Sequence, residues 1–192
     1  MLFRSHLIKE LEVSYALGVS HKTLKLEHLS IDKDGKLKLA RTKCSCPDLA
    51  SCNSLRGFPN YRSPEVKART CADPEAADIY SAGIILFAFR CGTLPYDEEK
   101  TVDGTNLFGA LHGNQEDFWK YHESRGSLPD DPDFKDLFLS MVRTDPEKRI
   151  SLEEIKSHKY FLEPVYEDAE LRSVMHHGLK VTCHLKKKSL SL

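Results

Sequence analysis

No charge of one sign dominates this chain. Its 28 Lys and Arg stand against 29 Asp and Glu, for a formal net charge of −1 over 192 residues. That balance removes the basic excess with which nucleic-acid binders neutralise phosphates, so no nucleic-acid partner is expected. Long hydrophobic runs are missing too. The longest, Ile84 to Phe89 with its neighbours, falls far short of the ~20 residues that cross a bilayer. The opening Met1-Leu2-Phe3-Arg4-Ser5-His6 has no apolar export core. No membrane span and an intracellular, cytoplasmic setting are therefore the expectation. Without an export signal the six cysteines do not read as a disulfide framework. Cys44-x-Cys46 with Cys52 could supply three zinc ligands, but the spacing is not that of paired C-x₂₋₄-C ligands, and small residues of a loop are the preferred reading. Tryptophan is nearly absent, with Trp119 alone.

What is present is mostly helical pattern, in a length that suits about one domain with a real core. Leu7, Ile8, Leu11 and Tyr15 form an apolar stripe within residues 2–17, and Gly18 follows where a helix-ending glycine belongs. Leu29, Ile31, Leu37 and Leu39 alternate around Asp34-Gly35, which predicts a hairpin with a two-residue primed turn. Residues 43–56 are Cys, Ser, Pro and Asn without period and read as a loop. Glu75 to Cys91 predicts a helix buried on nearly all sides. Ser127 to Arg143 predicts another helix after the Pro129 and Pro132 breaks. Ser151-Leu152-Glu153-Glu154 opens a further one as a capping box. Residues 162–165 read as a linker, 168–179 as a small amphipathic helix and 184–192 as a polar basic tail. Lys186-Lys187-Lys188-Ser189 reads as solubilising rather than as a localisation signal.

Five motifs then occur in a fixed order. His21-Lys22-Thr23-Leu24-Lys25-Leu26-Glu27-His28 leads into the hairpin and Arg41-Thr42-Lys43; Gly57 to Val66 contains Ser63-Pro64-Glu65; Asp78-Ile79-Tyr80-Ser81-Ala82-Gly83 opens the apolar helix. Gly92-Thr93-Leu94-Pro95-Tyr96 follows it, and Asp145-Pro146-Glu147-Lys148-Arg149 with His158-Lys159-Tyr160-Phe161 closes the set. Together these resemble H-R-D-L-K-x-x-N with D-F-G, A-P-E, D-x-W-S-x-G, G-x-x-P-F and D-P-x-x-R with H-x-W-F, the series of the serine/threonine protein kinase C-terminal lobe. Their wording is closest to the calcium/calmodulin-dependent group, especially protist members, in which an aromatic insert like Asp117 to Glu123 is familiar.

The resemblance implies a mainly α fold with one small β-hairpin, a kinase-like C-lobe over residues 1–161 and an extension over 162–192. Kinases also carry a glycine-rich loop, a strand lysine and its glutamate partner in an N-terminal lobe. No Gly-x-Gly-x-x-Gly occurs in these residues, and the expectation is a chain that starts inside the family's E helix, its N-lobe missing.

The working residues depart from the pattern. Thr23 stands at the base position, where a neutral hydroxyl cannot accept the substrate proton. His28 and Arg41 stand at the two metal-ligand positions, although magnesium takes oxygen ligands and a fixed cation repels it. Ser30 takes the adenine-floor position, Phe58 that of a Ser/Thr hydroxyl touching the catalytic loop, and Thr42 that of the D-F-G phenylalanine. Lys25 is the phosphate-contacting residue that remains. Asp32 and Asp34 read as turn formers rather than as a rescuing base, and their string is too short for an EF-hand. The scaffold residues are kept. Glu65 and Arg149 match a buried ion pair, and Asp78 matches the carboxylate that holds the backbone near His21. Taken singly, Glu65 would read as a solvated charge and Arg149 as a helix cap; within the ordered set the pair is preferred.

The expectation is a degenerate kinase domain, a pseudokinase, acting as a binding or scaffold module for a protein partner. No cofactor is expected, although ATP and magnesium belong to the family. Two alternatives stay open: a working kinase completed by an N-lobe from elsewhere, and a truncated copy without function. Trp119 is read evenly as a docking residue or as part of an insert packed on the lobe.

Overall fold

The computed structural model describes residues 2–33, 36–40, 58–97, 101, 104, 106–126 and 130–162. Within them the chain is mainly helical, with one two-stranded antiparallel sheet. The loop cysteines Cys44, Cys46 and Cys52, the turn pair Asp34-Gly35, residues 41–43 and everything beyond Leu162 lie outside the described residues.

Helix α1, Leu2–Ala16, buries Leu7, Ile8 and Leu11, the i, i+1, i+4 stripe read from the sequence. Gly18 ends it at φ 69°. Its N–H bonds the Tyr15 carbonyl while Val19 N–H bonds that of Ser14, the paired closure of a Schellman motif. A side chain at Gly18 would be strained in that left-handed geometry.

Strands β1, Leu29–Ile31, and β2, Leu37–Leu39, pair in the register Leu29↔Leu39, Ser30↔Lys38 and Ile31↔Leu37. Asp32 N–H bonds the Lys36 carbonyl, and Asp32 Oδ1 accepts from Lys36 N–H. The connection is thus residues 33–35, three rather than the two expected. The cause lies in the side-chain period of two. All four apolar residues carry odd numbers, so they share a face only when partner numbers sum to an even value. A two-residue turn at 34–35 would set Ile31 against Lys38.

Helix α2, Pro64–Lys67, is followed by α3, Pro74–Cys91, whose N-cap Asp73 accepts from the N–H groups of Glu75 and Ala76. Every residue from Ala77 to Phe87 is buried, which makes α3 the central column. Gly83 sets how close its neighbour comes: a Cβ there would lie 3.0 Å from both Met141 Cβ and Val142 Cγ1. That neighbour is α6, Pro132–Met141. Between them in sequence come α4, Leu107–His112, and α5, Gln115–Ser124.

Helix α5 carries the aromatic insert inward. Phe118 is fully buried, and the half-buried Trp119 ring stacks on Phe87 at 6.4 Å and meets Phe138 edge-on at 5.9 Å. Trp119 is part of a packed insert. Helix α7, Leu152–Ser157, begins at Ser151 with the reciprocal capping box complete, and α8, Lys159–Leu162, follows. Lys156 of α7 reaches Glu12 of α1 at 2.7 Å. Among the described residues no helix is long and apolar enough to cross a membrane.

Candidate functional site

The segment between α1 and β1 has little regular structure of its own. Leu24, fully buried, anchors it in the core. Asp78, on the first turns of α3, holds its start: Oδ2 accepts from His21 N–H at 2.5 Å and Oδ1 from Lys22 N–H at 2.7 Å. Lys22 sits at φ 63°, in the left-handed region, so both bonds fix a backbone conformation that a lysine rarely adopts. Ala40 closes the other side, accepting from His21 Nε2 at 2.9 Å and donating its N–H to the His28 carbonyl at 2.8 Å. His21 and His28 are thereby brought together, with ring centroids 5.1 Å apart.

Thr23 is half-buried on this loop. Ser30 is exposed on β1, paired with Lys38. Arg41 lies outside the described residues. Lys25 Nζ lies 4.0 Å from the centroid of the Phe58 ring, a cation–π contact that the sequence did not suggest. Phe58 is 53% exposed. The crevice bounded by Thr23, Phe58, Tyr61 and Ser63 holds about 10 Å³, room for about one water at most.

Arg149 and Glu65 meet below. Arg149 Nη1 and Nη2 donate to Glu65 Oε1 and Oε2 at 2.6 and 2.9 Å. Nη1 also donates to Ala76 O at 2.7 Å, and Nε and Nη2 to Arg143 O at 3.0 and 2.8 Å. Every guanidinium N–H is thus used. The Arg149 side chain has no solvent exposure and that of Glu65 has 7%. Tyr80 lies beneath, the guanidinium carbon 5.2 Å from its ring centroid. Its hydroxyl bonds those of Tyr96 at 2.9 Å and the His112 ring at 3.2 Å. Sequence reading missed this network, although a tyrosine inside so apolar a helix signals a hydroxyl in need of a partner.

Burial pulls the His21 imidazole down to about 4, opposed by its bond to Ala40. Burial likewise draws His112 down to about 4, helped by Lys67 and Arg149. His28 and His122 shift the same way, with burial first in each. Asp78 moves oppositely: burial pushes it up to about 7 against the two backbone bonds. The usual His value is 6.5 and the usual Asp value 3.8. Between about pH 4 and 6.5 the unfolded chain binds histidine protons that the native chain refuses, so stability rises with pH. Asp78, from about pH 4 to 7, and Glu75, which burial also raises, contribute the reverse slope, but two carboxylates face four histidines. Melting temperatures taken from pH 4.5 to 6.5 are expected to climb, and His112→Gln to flatten the climb. A wild-type protein more stable at pH 4.5 than at 6.5 would contradict these assignments.

Residues 2–161 match the family profile described as the protein kinase domain. The chain belongs to the protein kinase family. It is 32% identical over 167 residues to a probable serine/threonine-protein kinase of Dictyostelium discoideum, covering 84% of this chain and 18% of that protein. With CBL-interacting protein kinase 8 of Oryza sativa it shares 32% over 158 residues, covering 81% of this chain and 33% of the relative. Serine/threonine protein kinase OSK3 of the same species is 34% identical over 158 residues, covering 81% and 29%. The chain thus spans a third or less of the length of these relatives.

Kinases hold magnesium on carboxylate and amide oxygens. At the motif positions of this chain's loop that lie within the described residues, the side chains are the Thr23 hydroxyl and the His28 imidazole. That donor set does not fit magnesium.

Proposed function

We propose that this chain is a serine/threonine kinase C-terminal lobe, residues 1–161 with an extension over 162–192, that binds a protein partner and does not transfer phosphate. In this reading it is a pseudokinase of the calcium/calmodulin-dependent group acting inside the cell. What supports it is a loop pinned by Asp78 in which Thr23 stands, by the resemblance, at the position of the family's carboxylate base. Phosphoryl transfer rests on positioning and on electrostatic stabilisation by metal ions. A positioned base contributes roughly 10²–10⁴-fold, and a hydroxyl supplies none of it at neutral pH. Lys25, the remaining phosphate contact of the motif, rests on the Phe58 face instead. The scaffold contacts of Asp78, Glu65 and Arg149 support a surface preserved for recognition.

A second reading has one fact in its favour, the greater length of the relatives: a lobe supplied by further sequence would complete a kinase. One assay separates the two. Radiolabel transfer from ATP with magnesium or manganese is expected to stay at the level of a heat-killed control. Calorimetry with ATP and magnesium is expected to give no affinity better than millimolar, because among the described residues the crevice at the loop holds only about 10 Å³. Turnover above the control, or micromolar binding, sinks the inactive reading.

A further inference from the structure

A polar groove lies between α6 and the α7–α8 pair, with Arg149 in its wall. It holds about 590 Å³, against the ~30 Å³ that one water takes in the liquid, so it has room for several side chains. No Phe, Tyr or Trp lines it, and Ile150 is its one apolar residue. Small-molecule sites are lined mostly by apolar and aromatic groups. This lining suits a charged stretch of polypeptide instead.

Most of its charges are already engaged. Asp136 Oδ2 faces His158 Nε2 at 3.1 Å, and Lys148 pairs with Asp145 at 3.3 Å. Glu154 Oε2 accepts from Ser151 N–H and Oγ, both at 2.8 Å. Arg143 and Lys159 are exposed, and among the described residues neither side chain has an ion-pair partner. Glu147 is the remaining carboxylate of the lining. The unengaged charge of the groove is therefore positive.

The chain itself supplies the complement. Lys159 opens α8, and Leu162, which ends that helix, is 71% exposed. The next residues, 163–170, read Glu-Pro-Val-Tyr-Glu-Asp-Ala-Glu, four carboxylates and no cation. Pro164 biases Glu163 away from helical geometry, so the chain is turned off the axis of α8. At ~3.3 Å per residue, eight residues reach roughly 26 Å. Tethering one helical turn from the groove gives the segment an effective concentration of roughly millimolar.

We propose that residues 163–170 dock in this groove as a strap, with their carboxylates on Arg143 and Lys159. The strap covers Ile150 and the outer side of Arg149. Glu147 opposes part of the attraction. Each exposed pair contributes up to about fivefold, so the docking is reversible. It is also sensitive to salt, since the screening length falls from ~10 Å at 0.1 M to ~3 Å at 1 M. Neither Thr23 nor Lys25 takes part, and the strap does not depend on the proposed inactivity.

The test is hydrogen exchange of the full chain read by mass spectrometry, with a free peptide of residues 162–172 as the unprotected reference. In low salt the amides of 163–170 are expected to exchange at least about threefold more slowly than in the peptide. At 1 M salt they are expected to match it. Arg143→Glu leaves Lys159 facing two unengaged carboxylates and is expected to abolish the protection. The Arg143 carbonyl that serves Arg149 is untouched by that change. Lys33→Glu makes the same charge change at the exposed hairpin connection and is expected to keep the protection. Exchange at the peptide's rate in low salt leaves the groove to an acidic segment of another protein and overturns the proposal. Protection that survives Arg143→Glu or 1 M salt does so too, because it places the segment on another surface. Should Arg143→Glu fail to fold, the wild-type salt response decides.

Discussion

Arg149→Ala is expected to lower stability by about 3–5 kcal/mol, the cost of breaking a buried ion pair from one side. The variant strips Glu65 of the two N–H groups that Arg149 donates to it and leaves a carboxylate with 7% exposure without that charge. It also frees the carbonyls of Ala76 and Arg143, which that guanidinium serves. The neighbouring Lys148→Ala supplies the contrast. Lys148 is 71% exposed and makes an i, i+3 pair with Asp145 at 3.3 Å, an interaction whose loss costs within about 0.5 kcal/mol. Denaturant melts of the two variants settle the matter. Small and equal shifts would mean that Arg149 is not a structural centre of this fold.

Asp78→Ala is expected to be nearly as damaging, and its effect is focused on the candidate site. Removing the carboxylate leaves the His21 and Lys22 N–H groups without acceptors inside the protein. Each such buried donor costs about 1–3 kcal/mol, so roughly 2–6 kcal/mol for the two. The left-handed φ of Lys22 then loses the backbone bond to Asp78 that fixes it. Asp78→Asn, which keeps one carbonyl acceptor, is expected to cost less. Melts give the size of the effect and amide exchange gives its place: the His21 and Lys22 amides of Asp78→Ala exchange faster than those of α6. A wild-type melt for Asp78→Ala would show that other groups fix the loop.

Much of this architecture was legible because its signals are local. The stripe of α1 with Gly18, the all-round apolar α3 and the Ser151–Glu154 box each occupy a few neighbouring residues, and each forms where its pattern lies. Helices α2, α4 and α5 were not assigned. Four to ten residues hold too few turns for a period to show, and their burial is decided by partners distant in sequence. The hairpin was recognised but its turn misjudged, since Asp34-Gly35 is a strong local cue while the shared face of Leu29, Ile31, Leu37 and Leu39 is a property of both strands. Within the site, Thr23 and His28 could be named from their place in the motif. The Lys25–Phe58 contact joins residues 33 positions apart across a surface and leaves no mark on spacing. The ring environment of His21 was equally invisible, because Ala40, whose carbonyl accepts from its Nε2, is chemically silent in sequence.

The Glu65–Arg149 pair has a consequence for how the protein is made. Its two members are 84 residues apart, and the Glu12–Lys156 contact spans 144. At the usual pace of about 5–20 residues per second, the ribosome takes roughly 4–17 s to add Arg149 after Glu65. Throughout that interval the nascent chain holds a carboxylate destined for the interior with no counter-charge yet in existence. The central helix α3 is complete by Cys91, but its lower end cannot be sealed. Synthesis of this chain is therefore expected to end in one late, cooperative closure, with the helices made first waiting on the residues made last.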